Sequence, residues 1–138
     1  MDTFIEVIET KKLTEGQMQV FLQEARIVSI HNSIFGLRRL FECANHFSEA
    51  KEAIWNFFQS KKWQHRFHVV NDSSRGPDDL RERILKTALN DKSSRVRCKA
   101  ADESGRYKQG KLFPELRIRL ELEENKDVKQ SIHYILQN

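Results

Sequence analysis

The residues that could do chemistry in this chain are few. His65 and His68 stand three apart, a spacing that sets two imidazoles on one helical face, where they could ligate a metal. No cysteine or carboxylate constellation accompanies them, and Arg66 between them would repel a cation. They read as surface histidines. Cys98 lies between Arg97 and Lys99, two cations that could lower its pKa and make it a nucleophile. No histidine partner stands by it, so it reads as a bystander thiol. His31, His46 and His133 are isolated. Asp78 and Asp79 follow Pro77 and read as helix-start residues, and Glu121, Glu123 and Glu124 read as a solvated helix end. There is no phosphate-binding glycine loop and no G-x-S-x-G elbow. The pattern predicts no enzyme, no cofactor and no metal.

The elements that would position these residues are helical. The 138 residues fit one domain, and with 32% charged and 38% hydrophobic residues the chain is wetter than an average globular domain. Five glycines and two prolines are too few for the tight turns of an all-β fold. The net charge of +4 permits an acidic partner or nucleic acid without demanding either. Cys43 and Cys98 are far apart and in no CxxC pattern, which predicts reduced thiols. The opening MDTFIEVIETKK carries acids and no long apolar run, unlike a signal peptide, and no stretch is long and apolar enough for a membrane span. A cytoplasmic location follows as the expectation.

Helical spacing recurs along the chain. A first helix over 2–10 would set Phe4, Val7 and Ile8 on one face. Thr14 and Gln17 form a capping box, opening a helix with Met18, Phe21 and Ala25 inward. Residues 29–44 carry Ile30, Ile34, Leu37, Leu40 and Phe41, and Ser48 could cap a helix burying Ala50, Ile54, Phe57 and Phe58. A helix from about Lys61 would turn Trp63, Phe67 and Val70 inward. The polar run at 71–79 is the clearest loop. Leu80, Ile84, Leu85 and Ala88 mark the next helix, then Val96 and Ala100, then Leu112, Leu116 and Leu120, then Val128, Ile132 and Ile135.

Trp63, Val96 and Val128 each stand early in a helix with an apolar residue four positions on, at intervals of 33 and 32 residues. Such a period marks stacked repeats. Residues 84–101, ILKTALNDKSSRVRCKAA, resemble a HEAT repeat: a first helix ending in Ala-Leu, an Asp in the turn, Val-Arg, and an Ala pair in the second helix. Pro114 near a helix start, and Asp127, Val128 and Lys129 after the next break, repeat the pattern. The resemblance implies an all-α fold, a short α-solenoid of stacked helical hairpins in a single domain. Residues 47–138 would be repeats and 1–46 capping helices or part of an interface. Asp91 would satisfy backbone groups in its turn.

On a wheel with Val96 and Ala100 inward, the ridge opposite carries Cys98 and Asp102, with His65 and Val69 before and Gln130 and Tyr134 after. Arg66, Arg97, Lys99 and Lys129 flank it. With Arg95 and Arg106, these predict a partner-binding surface of His65, Arg66, Val69, Arg95, Arg97, Lys99, Asp102, Arg106, Lys129 and Tyr134. A short HEAT-like chain without catalytic motifs resembles the small helical immunity proteins of bacterial toxin systems, which implies a non-catalytic module whose partner is another protein, possibly a toxin domain. The alternative is nucleic-acid binding through the basic cluster at 95–111, as in the HEAT-like DNA glycosylases. Their tryptophans and aspartate around a base pocket have no counterpart in this reading, which puts Trp63 in the core.

Overall fold

The computed structural model of the chain describes residues 3–26 and 35–137. It is all helical, with no strand among the described residues. The helices are α1 (Thr3–Thr10), α2 (Glu15–Arg26), α3 (Phe35–Ala44), α4 (Ser48–Phe58), α5 (Trp63–Asp72), α6 (Asp78–Ala88), α7 (Ser94–Arg106), α8 (Phe113–Leu122) and α9 (Lys126–Gln137). None is long and apolar enough to cross a membrane. Ile30, Ile34 and His31 lie outside the described residues.

Local chemistry sets several boundaries. The capping box forms as expected: the Gln17 N–H donates to Thr14 Oγ1 at 3.1 Å, and the Thr14 N–H to Gln17 Oε1 at 2.7 Å. Ser48 does not cap α4. Phe47 takes the cap position, extended and without a side-chain bond, and Ser48 is already helical. Helix α5 starts two residues later than Lys61. Pro77 stands just before α6, and Asp78 and Asp79 open its first turn, where negative charge suits the helix dipole. After α7 the backbone reverses through Lys108 and Gln109, both left-handed at φ 43° and 52°, and Gly110 at φ 89°.

From α4 onward the helices pair as hairpins, α4–α5, α6–α7 and α8–α9, and α7 packs on both α5 and α9. The buried sets repeat: Leu80, Ile84 and Ala88 of α6 correspond to Leu112, Leu116 and Leu120 of the following unit, with Leu120 half-buried. Val7, Phe21, Leu37, Leu40 and Phe41 extend this core towards the N-terminus. Ile8 does not join Val7 inside, since it is 49% exposed.

The turns inside the three hairpins share one construction. Lys62 N–H donates to Ser60 Oγ (3.2 Å), Ser93 N–H to Asp91 Oδ1 (2.8 Å) and Asn125 N–H to Glu123 Oε2 (3.1 Å). Six residues after the first two turns stands an arginine. Arg66 Nη1 donates to the Ser60 carbonyl at 2.9 Å, and its fork clamps the Asp91 carboxylate at 2.8 and 3.0 Å. Arg97 repeats this on the Asp91 carbonyl (2.8 Å) and the Glu123 carboxylate (2.8 and 2.9 Å). Each guanidinium thus ties its own turn to the next one. The period read from these atoms is 31 residues from Ser60 to Asp91 and from Arg66 to Arg97, then 32 from Asp91 to Glu123.

That period corrects the register of α5. The counterpart of Val96 is His65, not Trp63, and the counterpart of Ala100 is Val69. Val69 is accordingly fully buried rather than on an exposed ridge, while Trp63 and Phe67 lie at the surface of the core, half-buried. Glu123 is likewise no solvated helix end: it is 3% exposed.

Candidate functional site

Helix α7 supplies one wall of two neighbouring grooves. The first runs between α5 and α7. Trp63, Phe67 and His68 come from α5, and Arg95, Cys98, Lys99 and Asp102 from α7. Residues four apart lie one above the other on a helix, so an aromatic pair on α5 faces a cationic pair on α7. The Arg95 guanidinium sits 4.8 Å from the Trp63 ring centroid, and Lys99 Nζ 6.0 Å from that of Phe67. Cation–π attraction holds both charges over the apolar floor. The two rings meet edge to face, 6.2 Å apart at 90°. The second groove, beside α9, is lined by Asp102, Arg106, Phe113, Tyr134 and Ile135 among others. Gly105 makes this approach possible, since a Cβ there would lie 2.7 Å from Ile135 Cγ2. Asp102 borders both grooves.

Of the ten residues expected on the binding surface, five come together here: Arg95, Lys99 and Asp102 in the first groove, and Asp102, Arg106 and Tyr134 in the second. Tyr134 is 72% exposed. The other five sit elsewhere. Arg66 and Arg97 are consumed by the turn-to-turn clamps, and the paired Glu123 raises the Arg97 pKa further. Val69 is core. His65 stacks on Phe57, centroids 4.9 Å apart, and shares a 2.8 Å hydrogen bond with Ser60 Oγ. Lys129 is exposed on α9. Trp63, Phe67 and His68 are the groove residues that sequence reasoning left out, while Cys98 lies on the ridge where the wheel put it. The signal for them was the 31-residue recurrence of Arg66 and Arg97, which would have turned the wheel of α5 correctly.

Most cations of the basic cluster at 95–111 have carboxylate partners. Besides Arg97, Lys99 lies 3.8 Å from Glu103 and Arg106 3.5 Å from the same carboxylate. Lys108 pairs with Asp78 at 3.0 Å and Lys111 with Glu82 at 2.8 Å, and these hydrogen bonds raise both lysine pKa values. Burial lowers the pKa of His68 in the groove wall, with the nearby His65 adding to the effect. Cys98 Sγ lies 3.4 Å from Ser131 Oγ. Among the described residues no group of three histidine, cysteine or acidic side chains could hold a metal ion.

No protein-family model, no curated protein and no solved structure matches the chain.

Proposed function

We propose that the chain is a non-catalytic protein-binding module, a short α-solenoid of HEAT-like hairpins whose α5–α7 groove takes an acidic segment of a partner protein. The turn-to-turn clamps at 31- and 32-residue intervals support the solenoid reading. One observation carries the binding reading: the Trp63–Phe67 row lies beneath the cations Arg95 and Lys99. An apolar side chain of the partner would cover the rings, and a flanking carboxylate would meet Arg95, which makes no ion pair among the described residues. Aromatic anchors beside arginine are the composition of binding hot spots. A bacterial toxin domain, neutralised in the cytoplasm, is the partner class suggested by the likeness to immunity proteins.

Nucleic acid is the less favoured occupant. Bases stack on open aromatic faces, whereas Trp63 and Phe67 are set edge to face and each already carries a cation. Most other cations of the cluster have carboxylate partners.

The test is affinity capture from the native host at low and high salt, with wild type, Trp63→Ala and Arg95→Glu. A single protein retained near one-to-one through high salt, and lost with both variants, is the expected result. Nucleic acid retained at low salt only, with no protein, would overturn the reading in favour of phosphate contacts. A protein retained equally by all three would move the interface off this groove.

A further inference from the structure

The repeat of contacts between hairpins reveals an unused face. In α4, Trp55 faces the following hairpin, where the Arg83 guanidinium lies 3.7 Å from its ring centroid. Its counterpart in α6 is Lys86, which reaches Glu115 of α8 at 3.9 Å. One turn on, Asn90 Oδ1 accepts from Arg119 Nη1 of the next hairpin at 3.2 Å, and Arg97 clamps Glu123. These residues define the side of a hairpin that carries its successor. With the 32-residue offset, the same side of α8–α9 presents Ile118 for Lys86, Leu122 for Asn90 and Lys129 for Arg97.

Two of these substitutions run against the expectation for an uncovered face. Where the α6–α7 hairpin places Lys and Asn, α8 places Ile118 and Leu122, each 62% exposed. A solvent-facing end of a repeat stack is ordinarily polar. The exposed charged residues of the segment 117–129, which carries both apolar side chains, are Arg117, Glu121, Glu124, Lys126, Asp127 and Lys129, none in an ion pair among the described residues. The rim therefore carries three positive and three negative charges, while the whole chain is at +4.

We propose that this face of α8–α9 docks a second copy of the chain, two-fold symmetrically, with Ile118 and Leu122 packed on their partners' equivalents. A two-fold interface brings one patch against itself, so it must be self-complementary. A rim of one sign would repel its copy; a rim balanced in sign can pair with itself. Lys129 then meets a carboxylate of the second copy, as Arg97 meets Glu123 within the chain. The groove between α5 and α7 is lined by other residues and stays open, so this assembly is independent of the proposed partner binding.

Sedimentation equilibrium on the purified 138-residue chain, from micromolar to near-millimolar concentration, tests it. The average mass is expected to rise from that of the monomer to twice that value. Ile118→Glu/Leu122→Glu should weaken the association at least about tenfold with an unchanged circular-dichroism spectrum, since both side chains are solvent-facing. Lys129→Glu should weaken it at low ionic strength and make little difference at high salt, where rim charges are screened. A monomer mass at every concentration overturns the proposal. So does a double variant that dimerises like wild type, or a mass that grows past two copies, which would mean open-ended head-to-tail stacking.

Discussion

Arg97 and Glu123 meet through two parallel hydrogen bonds of 2.8 and 2.9 Å across 26 residues of chain. The arginine side chain is 15% exposed and the glutamate 1%. Removing the arginine leaves a buried carboxylate held by the Asn125 N–H at 3.1 Å and by Arg119 at 3.5 Å. Breaking such a pair from one side costs about 3 kcal/mol or more. Arg97→Ala should show that loss in urea unfolding, and Arg97→Lys should recover only part of it, since an ammonium cannot reproduce the fork. A cost below about 1 kcal/mol would rank the clamp with ordinary surface ion pairs.

The same carboxylate sets an acid response. Burial alone would push the Glu123 pKa up. The hydrogen bonds from Arg97 and the Asn125 N–H, with the charges of Arg97 and Arg119, outweigh it and hold the pKa below the ordinary value. A depressed carboxylate pKa contributes stability that is present above the unfolded value, about 4.3, and is lost as pH falls through the folded one. The stability gap between wild type and Glu123→Gln should therefore be constant near neutrality and close in acid. A gap that persists at the lowest pH where the protein is folded would contradict this.

Two histidines add a second response nearer neutrality. Burial lowers the His65 pKa, with Lys62 contributing, although the Arg26 backbone acts the other way; burial and His65 lower that of His68. For a base with a depressed folded pKa the unfolded state binds the proton more readily. Stability is thus complete above the unfolded value of about 6.5 and declines as pH drops below it. Thermal unfolding of wild type should show this decline, and His65→Gln/His68→Gln should flatten it.

The two thiols should differ in reactivity. Cys43 is buried, and burial, with Glu42 beside it, pushes its pKa up to about 11. Cys98 is half-buried in the α5–α7 groove. A thiol reagent should modify one cysteine in the folded chain, and Cys98→Ser should abolish that reaction. Bound partner should protect Cys98; undiminished modification in the complex would place the partner elsewhere.

Gly36 lies against the backbone of α2. A Cβ there would meet the Phe21 carbonyl oxygen, Glu24 Cβ at 2.7 Å and the Ala25 nitrogen at 2.9 Å. These are largely backbone atoms of α2 and cannot step aside. Gly36→Ala should cost about 2 kcal/mol or more, whereas Gly16→Ala, with only Thr14 Oγ1 nearby at 3.8 Å, should not destabilise.

Helix content and most core positions were legible because apolar periodicity is local: Ile84, Leu85, Val96, Ala100 and Ile132 are buried where the 3.6-residue spacing puts them. The Asp91 turn was legible too, because a carboxylate bonding the N–H two residues on is short-range chemistry. The candidate groove was only half legible. Large apolar side chains invite an inward assignment, so Trp63 anchored the wheel of α5 two positions away from its true counterpart of Val96. That slip of two residues, about 200° on a helix, exchanged Val69 for Phe67. The fate of the cations was not legible at all. Arg95 and Arg97, two residues apart, point to opposite sides of α7, but that one side meets Trp63 and the other Glu123 is decided by how α5 and the α8–α9 turn pack around α7.

The clamps of Arg66 and Arg97 tie the hairpins at their turn ends, and at the opposite ends, where the chain crosses from one hairpin to the next, Lys51 meets Asp79 at 3.1 Å and Lys111 meets Glu82 at 2.8 Å. Hairpins fastened along both edges cannot fan, so the walls of the two grooves keep their spacing from end to end. Trp63 and Arg95 stand at the first edge, at the starts of α5 and α7, and Asp102, Arg106 and Tyr134 stand towards the second. A segment entering these grooves as proposed would find both its aromatic anchor and its polar far end already in place, so little ordering of the chain would offset the contacts it makes.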